Sequence, residues 1–190
     1  LILWGLTRAP IDEKFISAPL IYFLIISITL IIGYFYSRKA FTDNQDKSIF
    51  MASSFVGNTG KLGIPLGIAL FGIQSVPYTS ILNIANIFFI YIFSVYFFAG
   101  DKFDFIKSLK EIFKIPAIWF TVLALSFNYN NFELNPAFDK VFTMGAYTAI
   151  VMQLIIFGVF MSKIKVKTAN WRLSLNISLF KHIVLPLVGL

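Results

Sequence analysis

An apolar run at residues 48–72 constrains the fold more than any other feature of this sequence. It is long enough to cross a bilayer, yet helix-breaking residues interrupt its middle, from Gly57 to Pro65 (GNTGKLGIP). Lipid offers no partner for the backbone N–H and C=O groups that such a break releases, so the break must lie inside protein or beside water. Broken helices near the midplane form the substrate sites of many secondary transporters. The run therefore predicts a polar site within a membrane.

The composition places the chain in a membrane and excludes several kinds of site. Hydrophobic residues make up 58% of the sequence and charged residues 13%, against about 25% charged in soluble domains. Cysteine is absent, which excludes disulfides, thiolate metal sites and a cysteine nucleophile. No carboxylate pair or histidine cluster lies in a span. We therefore expect no enzyme, no metal and no cofactor, while the choice of coupling ion, H⁺ or Na⁺, stays open.

The apolar segments predict an all-α polytopic membrane protein with about six spans. Twelve of the 16 Lys and Arg residues lie in or beside alternate loops, and three lie on the opposite side. Because positive loops stay in the cytoplasm, loops 37–47, 100–114 and 163–178 are predicted to be cytoplasmic, most simply at a bacterial inner membrane. The basic residues thus orient the chain in its lipid bilayer, and the nucleic-acid interpretation fails. The six predicted spans are 15–36, 48–72, 80–99, 115–129, 138–162 and a last one from 179.

Lys61 is the residue most difficult to explain without a function. It is the only basic side chain in the middle of a predicted span, where a charge costs about 3 kcal/mol on insertion scales. Pro65 suits the first turn of a helix, so we expect a second half-helix to start near Ile64 with the N–H groups of Leu66 and Gly67 directed at the break. A helix N-terminus beside a lysine favours a carboxylate. The alternative is that Lys61 snorkels and the glycines serve only close packing.

The remaining candidates fall into two groups. Asn58 and Thr59 are the best polar ligands on the predicted unwound segment, and Gly57, Gly60, Gly63 and Pro65 would shape it around the substrate. Hydrogen bonds within or between helices explain the secondary candidates equally well. We expect His182 to be a membrane-interface residue and not a proton relay. The secondary candidates are Ser53, Ser54, Asn83, Asn86 and Gln153.

The stretch from Ser54 to Leu66 (SFVGNTGKLGIPL), followed by ALFG at 69–72, resembles the crossover signature of the auxin efflux carrier family. That family is related in architecture to bile acid/sodium symporters. Asn86 and Pro116 support the likeness, with weaker matches at 155–158 and 181–187. The resemblance implies a fragment holding helices three to eight of a ten-helix inverted-repeat transporter. Its parts would be 1–99 (first repeat, with its crossover helix at 48–72), 100–114 (cytoplasmic amphipathic linker) and 115–190 (start of the second repeat).

Three positions depart from the family pattern. Lys61 stands where the family more often has an aromatic or aliphatic residue, Val151 where a proline is expected, and Gln153 where a small apolar residue is usual. The resemblance implies a secondary carrier for a small organic anion, a carboxylate, that works by alternating access around residues 57–65. The alternative is a non-transporting membrane scaffold or partner subunit. The expected partners are the anionic solute and the bilayer. A homodimer is a further possible assembly.

Overall fold

The computed structural model describes residues 1–7, 13–130, 132 and 135–190, except for the side chains of Lys14 and Thr168. The structure is 86% helical, and its described part holds no strand, which confirms the all-α prediction. Three π-helical turns interrupt or extend the α-helices: Thr59–Gly63, Ile90–Ser94 and Phe180–Val184. The α-helices are α1 (Ile2–Leu6), α2 (Glu13–Ala40), α3 (Asn44–Ser53), α4 (Ile64–Phe71), α5 (Val76–Phe89), α6 (Val95–Ala99), α7 (Phe105–Phe113), α8 (Pro116–Tyr129), α9 (Pro136–Ser162), α10 (Trp171–Leu179) and α11 (Leu185–Val188).

Three helical stretches in the described part are long and apolar enough to cross a membrane: Phe15–Ala40, Ile73–Lys102 and Pro136–Ser162. Helices α7 and α8 follow each other after a short break and would make a fourth span if they are counted together. These elements correspond to the first, third, fifth and fourth predicted spans. The second and last predicted spans consist of shorter helices. The polytopic fold is thus confirmed, while the number six stays a prediction.

The structure divides into two compact units that alternate along the chain, and each is described by itself. Unit 1 comprises 1–19, 58–84 and 115–164. Within it, α1 packs on α8 and α9, and Trp4 donates a hydrogen bond from Nε1 to Thr143 Oγ1 at 3.1 Å. Asn128 Nδ2 donates to the Leu6 carbonyl at 2.9 Å. The buried core of unit 1 includes two clusters, formed by Trp4, Leu6, Phe15, Ile64, Val76, Ala124 and Ala146.

Unit 2 comprises 20–57, 85–114 and 165–190 and has an aromatic core. Phe50 is fully buried and meets Phe180 edge to face, with ring centroids 5.0 Å apart. Gly33 lets the Phe55 ring approach the helix, since a Cβ at Gly33 would lie 2.7 Å from that ring. Aromatic pairs of this geometry add stabilisation beyond burial. Neither unit corresponds to one predicted repeat, so the division at 99 and 115 stays a prediction.

The predicted amphipathic linker forms α7. Asp104 caps the N-terminus of this helix, because its Oδ1 accepts a hydrogen bond from Lys107 N at 2.9 Å. Ile112 is buried within unit 2, whereas Phe105 and Phe113 are half exposed. A helix with apolar side chains left uncovered and lysines interspersed is typical of a membrane-surface segment. The structure thus gives this part of the chain a helix with a packed face and an uncovered apolar one.

Candidate functional site

The structure confirms that the apolar run at 48–72 is broken. Helix α3 ends at Ser53, residues 54–58 have no helical structure, and the chain resumes as the π turn Thr59–Gly63, which leads into α4. The unwound residues therefore begin earlier than the predicted stretch 57–65. Only Gly57 and Asn58 of that stretch are unwound, and the others are helical.

The α-helical part of the second half, α4, starts at Ile64 as expected, but the π turn Thr59–Gly63 precedes it, so the half-helix as a whole starts at Thr59. Asn58 is its N-cap: its Oδ1 accepts from Lys61 N at 3.3 Å, and its carbonyl oxygen accepts from Leu62 N at 3.1 Å and Gly63 N at 3.0 Å. The wider π turn accommodates the missing N–H of the proline that follows. The N–H groups of Leu66 and Gly67 consequently lie inside the helix, and the positive helix end lies at Asn58, beside Lys61.

Within unit 1, the first turn of this half-helix is held by α5. Thr59 Oγ1 donates to Asn83 Oδ1 at 3.0 Å. Gly60 makes the close approach possible, because a Cβ at this position would lie 2.7 Å from Asn83 Oδ1. Gly63 is different: the atoms nearest to a Cβ there are 3.7 and 3.8 Å away and belong to the same turn. The predicted glycines therefore differ in role, and Gly60 alone of these two is required by a neighbouring helix.

The two most polar predicted ligands have exposed side chains. Asn58 and Lys61 are both exposed, and no acidic side chain of the described residues pairs with Lys61. A cavity of about 590 Å³ lies in the same unit and is lined by Gly60, Asn83 and Gln153 among apolar side chains. Asn58 and Lys61 are not among the residues that line it. Unit 1 thus combines an exposed ammonium group at a helix N-terminus with a separate, largely apolar cavity.

Within unit 2, Asn86 binds Gly57, the residue that precedes the helix cap Asn58. Its Nδ2 donates to the Gly57 carbonyl at 2.9 Å, and its Oδ1 accepts from the Tyr22 hydroxyl at 3.0 Å. Asn86 is 2% exposed. Its Nδ2 bond satisfies a backbone carbonyl that the break would otherwise leave unpaired, and its bond to Tyr22 satisfies its own amide oxygen. Sequence reasoning missed Tyr22, since a tyrosine in an apolar span has no spacing that would reveal its partner on another helix.

Comparison with known proteins now adds to this geometry. A model of a family described as "Membrane transport protein" matches residues 7–105, which is just over half of the chain and includes the whole break. The chain belongs to this family. The match agrees with the resemblance to auxin efflux carriers and establishes an integral membrane protein of a transport family. Comparisons with curated proteins and with solved structures gave no significant match.

The secondary candidates of this transport-family chain differ in their surroundings. Ser53 is half-buried. Ser54 Oγ is buried, and in the described part of the chain it has no hydrogen-bond partner. His182 is exposed, with Nδ1 2.9 Å from the Ser178 carbonyl oxygen. Among the described residues, no three His, Asp or Glu side chains lie together in a way that could hold a metal ion.

Proposed function

We propose that this chain carries a small organic anion, of the carboxylate class, by alternating access around residues 57–65. The observation that carries the proposal is the exposed Lys61 in the first turn of a half-helix that begins in the middle of a broken span. An ammonium group at membrane depth needs a compensating partner, and the N-terminus of a helix adds partial positive charge at the same place. An anionic solute supplies the negative charge that both the ammonium group and the helix N-terminus lack.

The other predicted site residues receive distinct roles in this proposal. Lys61 binds the carboxylate, and the exposed Asn58 offers its amide nitrogen while its Oδ1 caps the helix. Thr59 keeps the turn in place through Asn83. Gly57, Gly60, Gly63 and Pro65 set the backbone path through the break. H⁺ and Na⁺ both stay open as the coupling ion.

The family match supports a carrier over a non-transporting scaffold, because it is a match to transport proteins. The further parts of the proposal are a bacterial inner membrane, cytoplasmic loops at 37–47, 100–114 and 163–178, and a homodimer as the assembled form.

Transport by Lys61→Ala in proteoliposomes tests the proposal. Labelled mono- and dicarboxylates are offered to vesicles with and without imposed H⁺ and Na⁺ gradients. A hydrogen bond to a charged group contributes about 1.5–3 kcal/mol, so the variant should lose at least about tenfold in transport rate at low solute concentration. Lys61→Arg should retain part of it, since the charge remains.

Lys39→Ala is the matched control, because Lys39 is an exposed lysine at the end of α2, outside the broken span. It should transport like the unmodified chain. Reconstitution yield and helical content must be equal for all variants. Unchanged transport by Lys61→Ala would remove the lysine from the site, and no transport of any carboxylate by the unmodified chain would refute the substrate class.

A further inference from the structure

The cavity of unit 1 has the size and lining of a small-molecule site. Its volume of about 590 Å³ lies within the range of roughly 300–1,000 Å³ typical of ligand pockets. Apolar residues such as Ile64, Phe120 and Ala146 form most of its wall. Ligand pockets combine such a wall with a few polar groups that fix the orientation of the bound molecule. A polar group of this wall can orient a ligand only if it is not already hydrogen-bonded within the protein.

Two polar side chains of the wall already have protein partners. Trp4 donates from Nε1 to Thr143, and Asn83 accepts from Thr59 through Oδ1. Gln153 differs from both. Its Oε1 is buried without a hydrogen-bond partner, and in the described part of the chain no hydrogen bond reaches either end of its amide.

A buried amide oxygen without a partner, such as Gln153 Oε1, destabilises the protein, because it has lost its hydrogen bonds to water and gained none in exchange. Such a group is worth explaining, and here it stands in the wall of a cavity. A lipid acyl chain would fill the apolar space yet leave the amide unpaired. If the solute were a dicarboxylate, its second carboxylate would lose its hydration in this cavity and would find no cationic side chain among the lining residues. A hydroxyl group meets neither objection, since it is small, uncharged and both donates and accepts.

We infer that Gln153 determines the specificity of this cavity, and that the cavity takes a small organic anion whose apolar body carries a hydroxyl group. Rotation about the side-chain bonds of Gln153 presents either the oxygen or the nitrogen of the amide, and a hydroxyl pairs with both. Lys61 does not line the cavity but directly follows Gly60, which does, so the inference places the hydroxyl end of the molecule in the cavity and its carboxylate end outside the apolar wall, toward Lys61. This inference rests on the proposed function.

The test is equilibrium binding measured by the fluorescence of Trp4, which lines the cavity. Trp119 and Trp171 are more than half exposed, so both are replaced by Phe to leave Trp4 as the only tryptophan. Three probes without ultraviolet absorption are compared: hexanoate, 6-hydroxyhexanoate and hexan-1-ol. The hydroxy acid should bind about three- to tenfold more tightly than hexanoate, the gain expected from one hydrogen bond to a buried, unpaired amide.

Gln153→Met should abolish this preference, since methionine keeps the length and flexibility of the side chain and loses the amide. Gln45→Met is the matched control, because Gln45 is exposed on α3 in unit 2, and it should retain the preference. Gln153→Leu serves as a second variant if the first does not fold. The inference is overturned if the preference survives both replacements of Gln153, or if the unmodified chain binds the two acids equally or binds neither.

The alcohol separates this inference from the proposed function. If hexan-1-ol binds as tightly as the hydroxy acid and Lys61→Ala leaves carboxylate transport unchanged, the anion carrier proposal fails while the role of Gln153 stands. If hexan-1-ol binds much more weakly than the hydroxy acid but Gln153→Met retains the preference, the role of Gln153 fails and the anion site stands.

Discussion

Replacing Asn86 should destabilise the described fold more than any other single polar change near the break. Asn86→Leu removes the bonds to the Gly57 carbonyl and the Tyr22 hydroxyl, at 2.9 and 3.0 Å. Hydrogen bonds between membrane helices contribute about 0.6 kcal/mol on average and up to about 1.7. A buried carbonyl left unpaired adds about 1–3 kcal/mol. We therefore expect a loss of roughly 2–4 kcal/mol in the free energy of unfolding.

A double-mutant cycle with Tyr22→Phe isolates one of these bonds. Tyr22→Phe removes only the hydroxyl that donates to Asn86, and alone it should cost about 0.6 kcal/mol. In the Asn86→Leu background the same change should cost close to nothing, because its partner is already gone. The free energy of unfolding is measured in detergent micelles by following the loss of helical circular dichroism. Tyr129→Phe is the control, since Tyr129 is 81% exposed, and it should change stability by less than about 0.5 kcal/mol.

The reasoning is refuted if Tyr22→Phe costs the same in both backgrounds, because the two side chains would then act independently. It is also refuted if Asn86→Leu is neutral, since Gly57 would then find another partner and Asn86 would not be what holds the unwound backbone.

Two further predictions concern the backbone. Gly60→Ala should cost about 1–3 kcal/mol by overpacking against Asn83, whereas Gly63→Ala should be neutral or slightly stabilising because no neighbouring helix limits it; equal effects in the same unfolding assay would contradict the close approach. Asp104→Ala should cost α7 about 1 kcal/mol by leaving the Lys107 N–H uncapped, seen as faster hydrogen exchange at the first α7 amides, and unchanged exchange there would contradict the capping role.

The break could be predicted from local sequence, whereas the contacts of the polar side chains around it could not, because they depend on tertiary packing. The three glycines and one proline of residues 57–65, in the middle of an apolar run, have few structural solutions in a membrane, so the sequence indicated where the helix fails. The two partners of Asn86 and the engagement of Asn83 depend on which helices pack together, and single-chain patterns contain no such information. The same limit applies to Gln153, whose lack of a hydrogen bond can be recognised only once the cavity around it is known.

Helix α4 starts at Ile64 as expected, but a π turn extends the helix before it, and the same arrangement occurs twice in this chain. Proline lacks an N–H and its ring clashes with the carbonyl four residues earlier, so Pro65 predicts a helix that starts just before it. Yet Pro65 is preceded by the π turn Thr59–Gly63, and in unit 2 Pro186 is preceded in the same way by Phe180–Val184. A π turn widens the helix where the proline would clash, so the helix runs through the proline. The side chain of Asn58 caps the helix, so the unwound segment ends there and not at the proline. This distinction matters for the site, because it places the positive end of the helix beside Lys61 instead of one turn beyond it.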